Sequence, residues 1–416
     1  MTATRTKRAP ASGWTFRRRF RRHAFGWRSQ PAITRVREAV REISGVARRE
    51  PIVAADGAID FLERVSPALE HVDSSSGAIG SAVNHAIDTL VPIIHDAPAD
   101  DATRDAWLQR LWAALEADDI PYIETLGERW GELCADAECA ARWAEWLRPT
   151  AERAIERDPV TGFFKGTVPC LSAMLAAGQN DAILALLERD RVHFWLYRRF
   201  GALALAARGE PDAALEYAWA NTRSQSFGRD RERLCEHILL DAGRRDEAYE
   251  RFAIAASAAN TRLQQFRALA KRYPERKREG ILADLVAATP GEEGKWFATA
   301  RSLGLLDAAL ELARQSPTDP RTLTRAARDH RDSDPAFARE AGLIALVRLA
   351  AGYGYDITAG DVTAAAEHAL QAATHLGNRD QTHAWLERLI AADSTDVFVR
   401  RNLGRWLRAC GAGVQR

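Results

Sequence analysis

The chain has 416 residues, of which 46% are hydrophobic and 28% are charged, and its formal net charge is +1. This is the composition of a soluble chain that can bury a core, and the length fits two or three domains or one extended repeat array. No apolar stretch is long enough to cross a membrane, and the five scattered cysteines form no C-x-x-C pair, so the sequence indicates no membrane span, disulfide framework or zinc knuckle.

The first 31 residues form a basic segment with nine Arg or Lys residues and no acid, so the rest of the chain has a net charge of −8. The segment mixes these cations with Trp and Phe, which suits phosphate contacts and base stacking, or contact with an anionic membrane surface. We predict that residues 1–31 form a flexible basic arm whose partner is nucleic acid or an anionic membrane surface. A tail that folds onto the acidic body is the other interpretation. The candidate polyanion-binding residues are Arg17, Arg18, Arg19, Arg21, Arg22 and Arg28.

The same segment contains a near match to an export signal. Arg17-Arg18-Arg19-Phe20 fits the core of a twin-arginine signal, but the apolar stretch that should follow it is missing. We therefore expect a cytoplasmic protein.

After Pro31, apolar residues recur at the spacing of an amphipathic helix. Ile33, Val36, Val40 and Ile43 are the first such set, and the pattern renews about every 15 to 20 residues to the end of the chain. Alternating strand patterns with hairpin turns are missing. The sequence therefore predicts an all-α protein with about twenty helices.

Capping residues mark several of the predicted helix starts. Asp319-Pro320 and Asp334-Pro335 each place a hydrogen-bond acceptor before a proline at the first helical position. Thr358 and Asp361 have the spacing of a capping box, with aspartate in place of the usual glutamate.

A cluster of polar residues lies between positions 71 and 88. His71, Asp73, His85 and Asp88 could meet across a helix turn as metal ligands or as an acid–base pair. Because Asp73 and the serines that follow it are ordinary helix-capping residues, a structural cap is the alternative interpretation. No third nearby histidine or cysteine completes a ligand set.

The residues from 158 to 169 form the best internal boundary, because two prolines and two glycines occur within twelve residues. We predict an N-terminal helical region over residues 32–157 and helical repeats over residues 170–416. The first region is either a separate bundle or a set of degenerate repeats.

An aromatic run follows this boundary. Phe194, Trp195, Tyr197 and Phe200 cover more than one face of a predicted helix, which is more than a core stripe requires. Core packing between repeats is one interpretation. The other is that these side chains line a groove that anchors a partner peptide.

A Gly-x-x-Asp motif recurs before predicted helices, and its first three copies are about thirty residues apart. The motif begins at Gly178, Gly209, Gly243, Gly304 and Gly377. We expect each glycine to take the left-handed conformation that ends one helix and each aspartate to cap the next helix. Such a short connection predicts two antiparallel helices in contact.

Two of these turns, "ARGEPDAALEYA" and "AGRRDEAYERF", resemble the central turn of tetratricopeptide repeats, with Ala214 and Ala248 at the small position where paired helices touch. The resemblance covers residues 165–315 and continues more weakly to 416, without the Trp-Leu-Gly-Tyr pattern of the first repeat helix. The whole chain also resembles a bacterial group of helical-repeat proteins. The resemblance implies an α–α superhelix of antiparallel helix pairs, and it implies no activity.

The stretch "TPGEEGKWFATA", which starts at Thr289, contains Gly294-Lys295 in the manner of a phosphate-binding loop. Thr289 stands where the first glycine of that loop belongs, and Trp296 stands where a hydroxyl should reach magnesium. The stretch instead predicts a helix start, with a capping box from Thr289 to Glu292.

Taken together, the sequence favours a non-catalytic scaffold that binds a protein or peptide on the concave face of a helical superhelix. The alternative is a nucleic-acid or anionic-surface binder that acts through the basic arm. A third hypothesis is an enzyme or metal site in the region of residues 71–88. We expect no cofactor, since motifs such as G-x-S-x-G and H-E-x-x-H are missing.

Overall fold

The computed structural model describes residues 13–156, 163–191, 193–220 and 229–412. The regular secondary structure in these ranges is helical and contains no strand, which confirms the all-α prediction. Contacts divide the chain into two compact units, Met1–Arg245 (unit 1) and Asp246–Arg416 (unit 2). Within the described ranges, no helix combines the length and apolarity that crossing a membrane requires.

Unit 1 begins with a short helix and three long helices that pack against one another. The described helices of unit 1 are α1 (Phe16–Arg19), α2 (Ser29–Ala47), α3 (Pro51–Leu69), α4 (Ala78–His95), α5 (Asp101–Glu116), α6 (Trp130–Cys134), α7 (Ala137–Glu156), α8 (Thr167–Ala176), α9 (Asn180–Leu187), α10 (Trp195–Ala207), α11 (Pro211–Trp219) and α12 (Asp230–Asp241). A 3₁₀ turn, Glu124–Arg129, precedes α6.

The basic segment is folded from residue 13 onward, which differs from the flexible arm that its sequence predicts. Trp14, Phe16 and Phe20 are buried. Phe16 and Phe20 meet the ring of Phe61 on α3 nearly edge-on, with centroids 5.7 and 5.1 Å apart. A Cβ atom on Gly57 would lie 2.4 Å from the Trp14 ring, so glycine is required for this contact. The aromatic residues anchor the segment, and residues 1–12 lie outside the described part.

The stretch of residues 158–169 does not separate two compact units. The helices on either side of it, α7 and α8, pack against each other, and the division of the chain falls after Arg245. Residues 157–162 lie outside the described part. Because α8 is buried from Thr167 to Met174, it continues the hydrophobic core of the preceding helices.

The Gly-x-x-Asp turns have the predicted glycine conformation. All five glycines have φ between +69° and +81°, the left-handed region that ends a helix. The helices that flank the turns at Gly178, Gly209, Gly304 and Gly377 pack against each other, as the short connections predict. The predicted capping role of the aspartates is wrong, because each lies in the first turn of its helix instead of at the N-cap.

Three of these aspartates instead form ion pairs with an arginine in the connection that follows the next helix of the chain. The pairs are Asp181–Arg208 at 2.9 Å, Asp212–Arg244 at 2.6 Å and Asp246–Arg276 at 2.9 Å. A carboxylate in the first turn also interacts favourably with the positive end of the helix dipole. The recurrent pair is thus a structural feature of these three turns that the motif alone does not reveal.

Unit 2 is also built from successive helices. From Arg245 onward the described helices are α13 (Arg245–Ala248), α14 (Ile254–Ala256), α15 (Arg262–Arg272), α16 (Arg278–Ala287), α17 (Phe297–Ser302), α18 (Leu306–Gln315), α19 (Pro320–His330), α20 (Pro335–Ala350), α21 (Ala359–His375), α22 (Arg379–Ala391) and α23 (Val397–Ala412). A π-helical segment, Tyr249–Ala253, joins α13 to α14, and a 3₁₀ turn, Glu293–Trp296, precedes α17.

The three predicted helix starts of unit 2 are confirmed. Asp319 accepts a hydrogen bond from the amide of Thr322 at 2.9 Å, and Asp334 accepts one from the amide of Phe337 at 3.0 Å. Both hydrogen bonds of the capping box that begins at Thr358 are present.

The capping box predicted from Thr289 to Glu292 is wrong. The Thr289 hydroxyl accepts a hydrogen bond from the indole of Trp296 at 2.8 Å instead of from a backbone amide. The Gly294 amide donates to the Ser316 hydroxyl at 2.7 Å, and a Cβ atom at Gly294 would lie 2.4 Å from the Ser316 carbonyl oxygen. The glycine therefore permits a close approach to the Ser316 backbone.

Candidate functional site: a tryptophan-lined groove in unit 1

The polar residues of the 71–88 region do not form a common site. His71 stacks on His23 with ring centroids 4.5 Å apart, Asp73 accepts a hydrogen bond from the Ser75 amide, and Asp88 pairs with Arg129 at 3.2 Å. His85 is exposed. In the described ranges, no group of three or more His, Cys, Asp or Glu side chains is placed to hold a metal ion.

The candidate arginines of the basic segment fall into two sets. Three of them pair with carboxylates of the same unit: Arg17 with Asp60 at 2.8 Å, Arg19 with Glu38 at 2.5 Å and Arg22 with Glu70 at 3.8 Å. Arg18, Arg21 and Arg28 are exposed, and no described carboxylate lies within ion-pair distance of them. Trp27, next to Arg28 in the chain, is 72% exposed.

The aromatic run is divided between core and surface. Trp195 and Phe200 are buried, whereas Phe194 and Tyr197 are half-buried and meet edge-on at 5.2 Å. Arg231 lies over the Trp195 ring at 5.2 Å. The four side chains therefore do not line one groove.

A groove of about 630 Å³ lies between α5 and α7. Asp105, Gln109, Trp112 and Glu116 form the α5 wall. Their spacing of four, three and four residues places them on one helix face. The spacing of these four residues along the sequence is therefore enough to predict that they share one face of α5.

The opposite wall comes from α7 and carries Arg142, Trp143 and Trp146. Trp146 is 58% exposed, whereas Trp143 and Trp112 are largely buried. The Trp146 ring meets the Trp112 and Trp143 rings nearly perpendicularly, with centroids 5.4 and 5.3 Å apart. Trp130 lies within 5.1 Å of Trp143 and supports the cluster from the core. An exposed indole is thus held in a fixed orientation by buried ones.

The polar lining of the groove leaves an excess of negative charge. Arg142 pairs with Asp105 at 3.3 Å. Glu116 is exposed, and its carboxylate has no hydrogen-bond or ion-pair partner among the described residues. The groove therefore combines tryptophan rings with one neutralised and one free carboxylate.

Two buried thiols lie behind the α5 wall. Cys139 donates to the Asp105 carboxylate at 3.8 Å, and Cys134 is hydrogen-bonded to Cys139. This bond and burial raise the pKa of Cys134, whereas the hydrogen bond that Cys139 receives lowers the pKa of Cys139. Both thiols are buried and free, so we assign them a packing role.

The sequence analysis does not identify this groove. Trp112 and the pair Trp143 and Trp146 are separated by thirty residues of chain, and only the tertiary packing of α5, α6 and α7 brings them together. The available signal is the spacing of Trp143 and Trp146, three residues apart, which places two indoles on one helix face.

Comparison with protein-family profiles, with curated proteins and with solved structures finds nothing that matches this chain.

Proposed function

We propose that the chain is a non-catalytic binding protein whose partner docks an amphipathic helix in the tryptophan-lined groove. The observation that carries this proposal is Trp146, which is 58% exposed at the groove while two other tryptophans fix its ring. Tryptophan is enriched among the few residues that supply most of the binding energy in interfaces. An ordered, exposed indole beside a groove is suited to that role.

The dimensions of the groove support a helix as its occupant. The α5 wall extends over about 16 Å at about 1.5 Å per residue, which is about three helical turns. An amphipathic helix of that length presents its apolar side chains at intervals of three and four residues along one face. The groove volume of about 630 Å³ is enough to receive several of them.

The charges of the groove support basic residues beside the apolar face of the partner helix. Asp105 is already neutralised by Arg142, whereas Glu116 is free to pair with a cation of the partner. Such rim charges raise the association rate and select the partner more than they raise affinity.

The repeated helix pairs support the scaffold role. The left-handed glycines and the recurrent Asp–Arg pairs are consistent with an array of similar units. We infer a tetratricopeptide-like α–α superhelix, and the step from that architecture to partner binding is an analogy.

Site-specific photo-cross-linking in cells tests the groove. A benzophenone amino acid is placed at position 109 or 116, both exposed in the groove, and at position 27 as a control, because Trp27 is an exposed tryptophan outside the groove. We expect positions 109 and 116 to capture the same protein. With that protein purified, Trp146→Ala should weaken binding by about tenfold to a hundredfold in calorimetry, and Trp27→Ala should leave it unchanged.

The groove is not the interface if positions 109 and 116 give no common adduct. Equal affinities of the wild-type and Trp146→Ala proteins for the captured partner would also contradict the proposal. Circular dichroism of each variant checks that the helical content is retained.

The free arginines support a second candidate function, the binding of a polyanion by the folded basic segment. Arg18, Arg21 and Arg28 have no described carboxylate partner, and Trp27 exposes an indole next to Arg28. Guanidinium groups and an exposed indole together suit phosphate contacts and base stacking.

Binding of single-stranded RNA at varied salt tests this candidate. If the three free arginines contact phosphates, the slope of log affinity against log salt should be about −2. Replacing all three arginines by Gln should abolish this salt dependence. Arg19→Gln is the matched control, because Arg19 is already paired with Glu38. Equal loss in that control, or binding to anionic vesicles but not to RNA, would exclude the nucleic-acid interpretation.

A further inference from the structure

A second cavity of unit 1, of about 270 Å³, lies between the end of α5, the residues that lead into α8, and the start of α10. From its lining we propose that this cavity binds a small organic ammonium ion. The site is separate from the tryptophan-lined groove, so the proposal does not rest on the function proposed above.

The walls of the cavity are largely apolar. The apolar side chains that line it are Leu115, Phe163, Phe164, Val168 and Leu196. Phe163 is 64% exposed at the opening, whereas Phe164 packs against Trp112 with ring centroids 6.1 Å apart. These walls suit the hydrocarbon or aromatic part of a ligand.

The charged groups of the cavity give it an excess of negative charge. Three carboxylates, those of Asp118, Asp119 and Glu124, line it together with one cation, Lys165. Tyr197 adds a phenol. An anionic ligand would meet repulsion from the carboxylates, and a neutral one would leave their charge without a counterion.

Lys165 is not available to a ligand. Its ammonium group donates to the backbone carbonyl oxygens of Leu115 at 3.3 Å, Glu116 at 2.8 Å and Asp118 at 2.7 Å. These are carbonyls at the C-terminal end of α5, where a cation is favoured. All three donors of the ammonium group are used, so Lys165 serves the helix end.

Asp118 is also engaged within the protein. Its carboxylate accepts hydrogen bonds from the Ser66 hydroxyl, from the Tyr122 amide at 3.3 Å and from the Ile123 amide at 2.9 Å. Asp118 therefore stabilises the loop after α5. It adds negative potential to the cavity, but its oxygens are already used and it is not the main contact for a ligand.

Asp119 and Glu124 are the two lining carboxylates that remain without a partner among the described residues, and Glu124 is the one whose surroundings disfavour its charge. It makes no hydrogen bond or ion pair with any described residue, and it lines the cavity on the side open to solvent. Burial by surrounding atoms, together with the charges of Asp118 and Glu128, raises its pKa despite the opposing charge of Lys165. A cation in the cavity would relieve this unfavourable interaction, and an ammonium ion could donate hydrogen bonds to it.

The size of the cavity limits the ligand. At about 30 Å³ per water molecule, the volume equals that of about nine waters. The cavity thus accepts one ring or a short chain bearing an ammonium group, and not a nucleotide or a drug-sized molecule.

Three compounds with similar apolar parts and different charge test the proposal. These are 2-phenylethylamine, 2-phenylethanol and 3-phenylpropionate, with binding to the full chain measured at pH 7 by ligand-observed NMR and calorimetry. We expect the amine to bind at least tenfold more tightly than the alcohol, and the carboxylate not to bind. Equal binding of amine and alcohol, or preference for the carboxylate, would overturn the proposal.

Two variants separate the charge contribution from the apolar one. Glu124→Gln should weaken binding of the amine by about tenfold to a hundredfold and leave the affinity for the alcohol unchanged. Phe163→Ala, at an exposed position, should weaken both by a similar factor. Glu145→Gln is the control, because Glu145 is an exposed carboxylate of the same unit that does not line the cavity.

The stability of Glu124→Gln distinguishes a binding role from a structural one. A carboxyl group whose pKa is raised by folding costs stability above that pKa, so the Gln variant should have an equal or higher Tm at pH 7. A clear fall in Tm would show that Glu124 is needed for the fold, and unchanged amine binding would show that it is not the ligand contact. Either result would contradict the proposal.

Discussion

The aromatic run of α10 and the tryptophan-lined groove contain the same kinds of side chain and use them differently. In the run, four aromatic residues occur within seven positions, and the two at its core, Trp195 and Phe200, are buried. In the groove, the aromatic residues come from two separate helices, and Trp146 is largely exposed. An aromatic cluster in the sequence is therefore a poor guide to an aromatic surface.

Helix geometry explains the difference. Successive residues of a helix are rotated by about 100°, so a contiguous run spreads around the helix and part of it faces the core. A surface cluster instead needs residues three or four positions apart on each of two neighbouring helices. Trp143 and Trp146 meet that condition on α7, and on α5 Trp112 lies on the same helix face as Gln109 and Glu116.

Truncation of a buried ring in the run should give the largest stability change. Phe200→Ala removes a side chain that is almost completely buried, so we expect it to cost about 3–5 kcal/mol of unfolding free energy. Trp146→Ala should cost less, about 1–2 kcal/mol, because its ring is mostly in solvent and loses only its edge-on contacts with Trp112 and Trp143. Urea unfolding of both variants measures this difference. If Trp146→Ala is the more destabilising of the two, the assignment of core and surface is reversed.

The groove should also depend on an anchor behind α5. Arg104 is buried, and its guanidinium donates to the carbonyl oxygens of Ile94 at 2.5 Å, His95 at 3.2 Å and Ala97 at 2.9 Å. Arg104→Met removes the donor to the carbonyl oxygens of Ile94 and His95 at the end of α4, so we expect a loss of about 3 kcal/mol.

Because Arg104 precedes the groove residue Asp105, its loss should also move α5 and change the tryptophan emission of the protein, to which Trp146 is one of twelve contributors. The comparison of Arg104→Met with Arg142→Met isolates this effect, since Arg142 is on the solvent side of the groove, and its exposed ion pair should contribute less than about 1 kcal/mol. Equal stabilities of the two variants would show that Arg104 is not an anchor.

The features that the sequence predicts well are those set by neighbouring residues. The glycine that ends a helix and the caps at Asp319, Asp334 and Thr358 depend on contacts within about four residues, and the structure contains all of them. The helix periodicity is local in the same sense. The fold class follows from these local signals.

The features that depend on distant residues are not predictable in the same way. The aspartate of each Gly-x-x-Asp turn has the right residue type for a cap, but in three of the five turns it pairs with an arginine about thirty residues later. The sequence of the basic segment predicts a free arm, because the residues that its aromatic rings contact, Gly57 and Phe61, lie about forty positions later in the chain. The groove lies between α5 and α7, and nothing in the sequence shows that these two helices face each other.

The ionisation of Tyr197 should give the smallest of these effects on stability, and one that appears only at alkaline pH. Tyr197 belongs to the aromatic run and also lines the cavity, and burial, together with the charges of Asp190 and Glu124, raises its pKa. The folded state then holds the phenolic proton more tightly than the unfolded state does. Stability must therefore fall as the pH rises from about 10, the ordinary tyrosine pKa, toward the pKa in the folded state.

Tyr197→Phe removes that alkaline loss. The stability of the wild-type protein relative to this variant should decrease between pH 9 and pH 11, and should not change between pH 7 and pH 9. Thermal melts of the two proteins measure this difference in stability. The contributions of the other buried tyrosines are the same in both proteins and cancel. A constant difference across this range would mean that Tyr197 titrates as an open surface residue, and the run would then present its phenol to solvent as the groove presents Trp146.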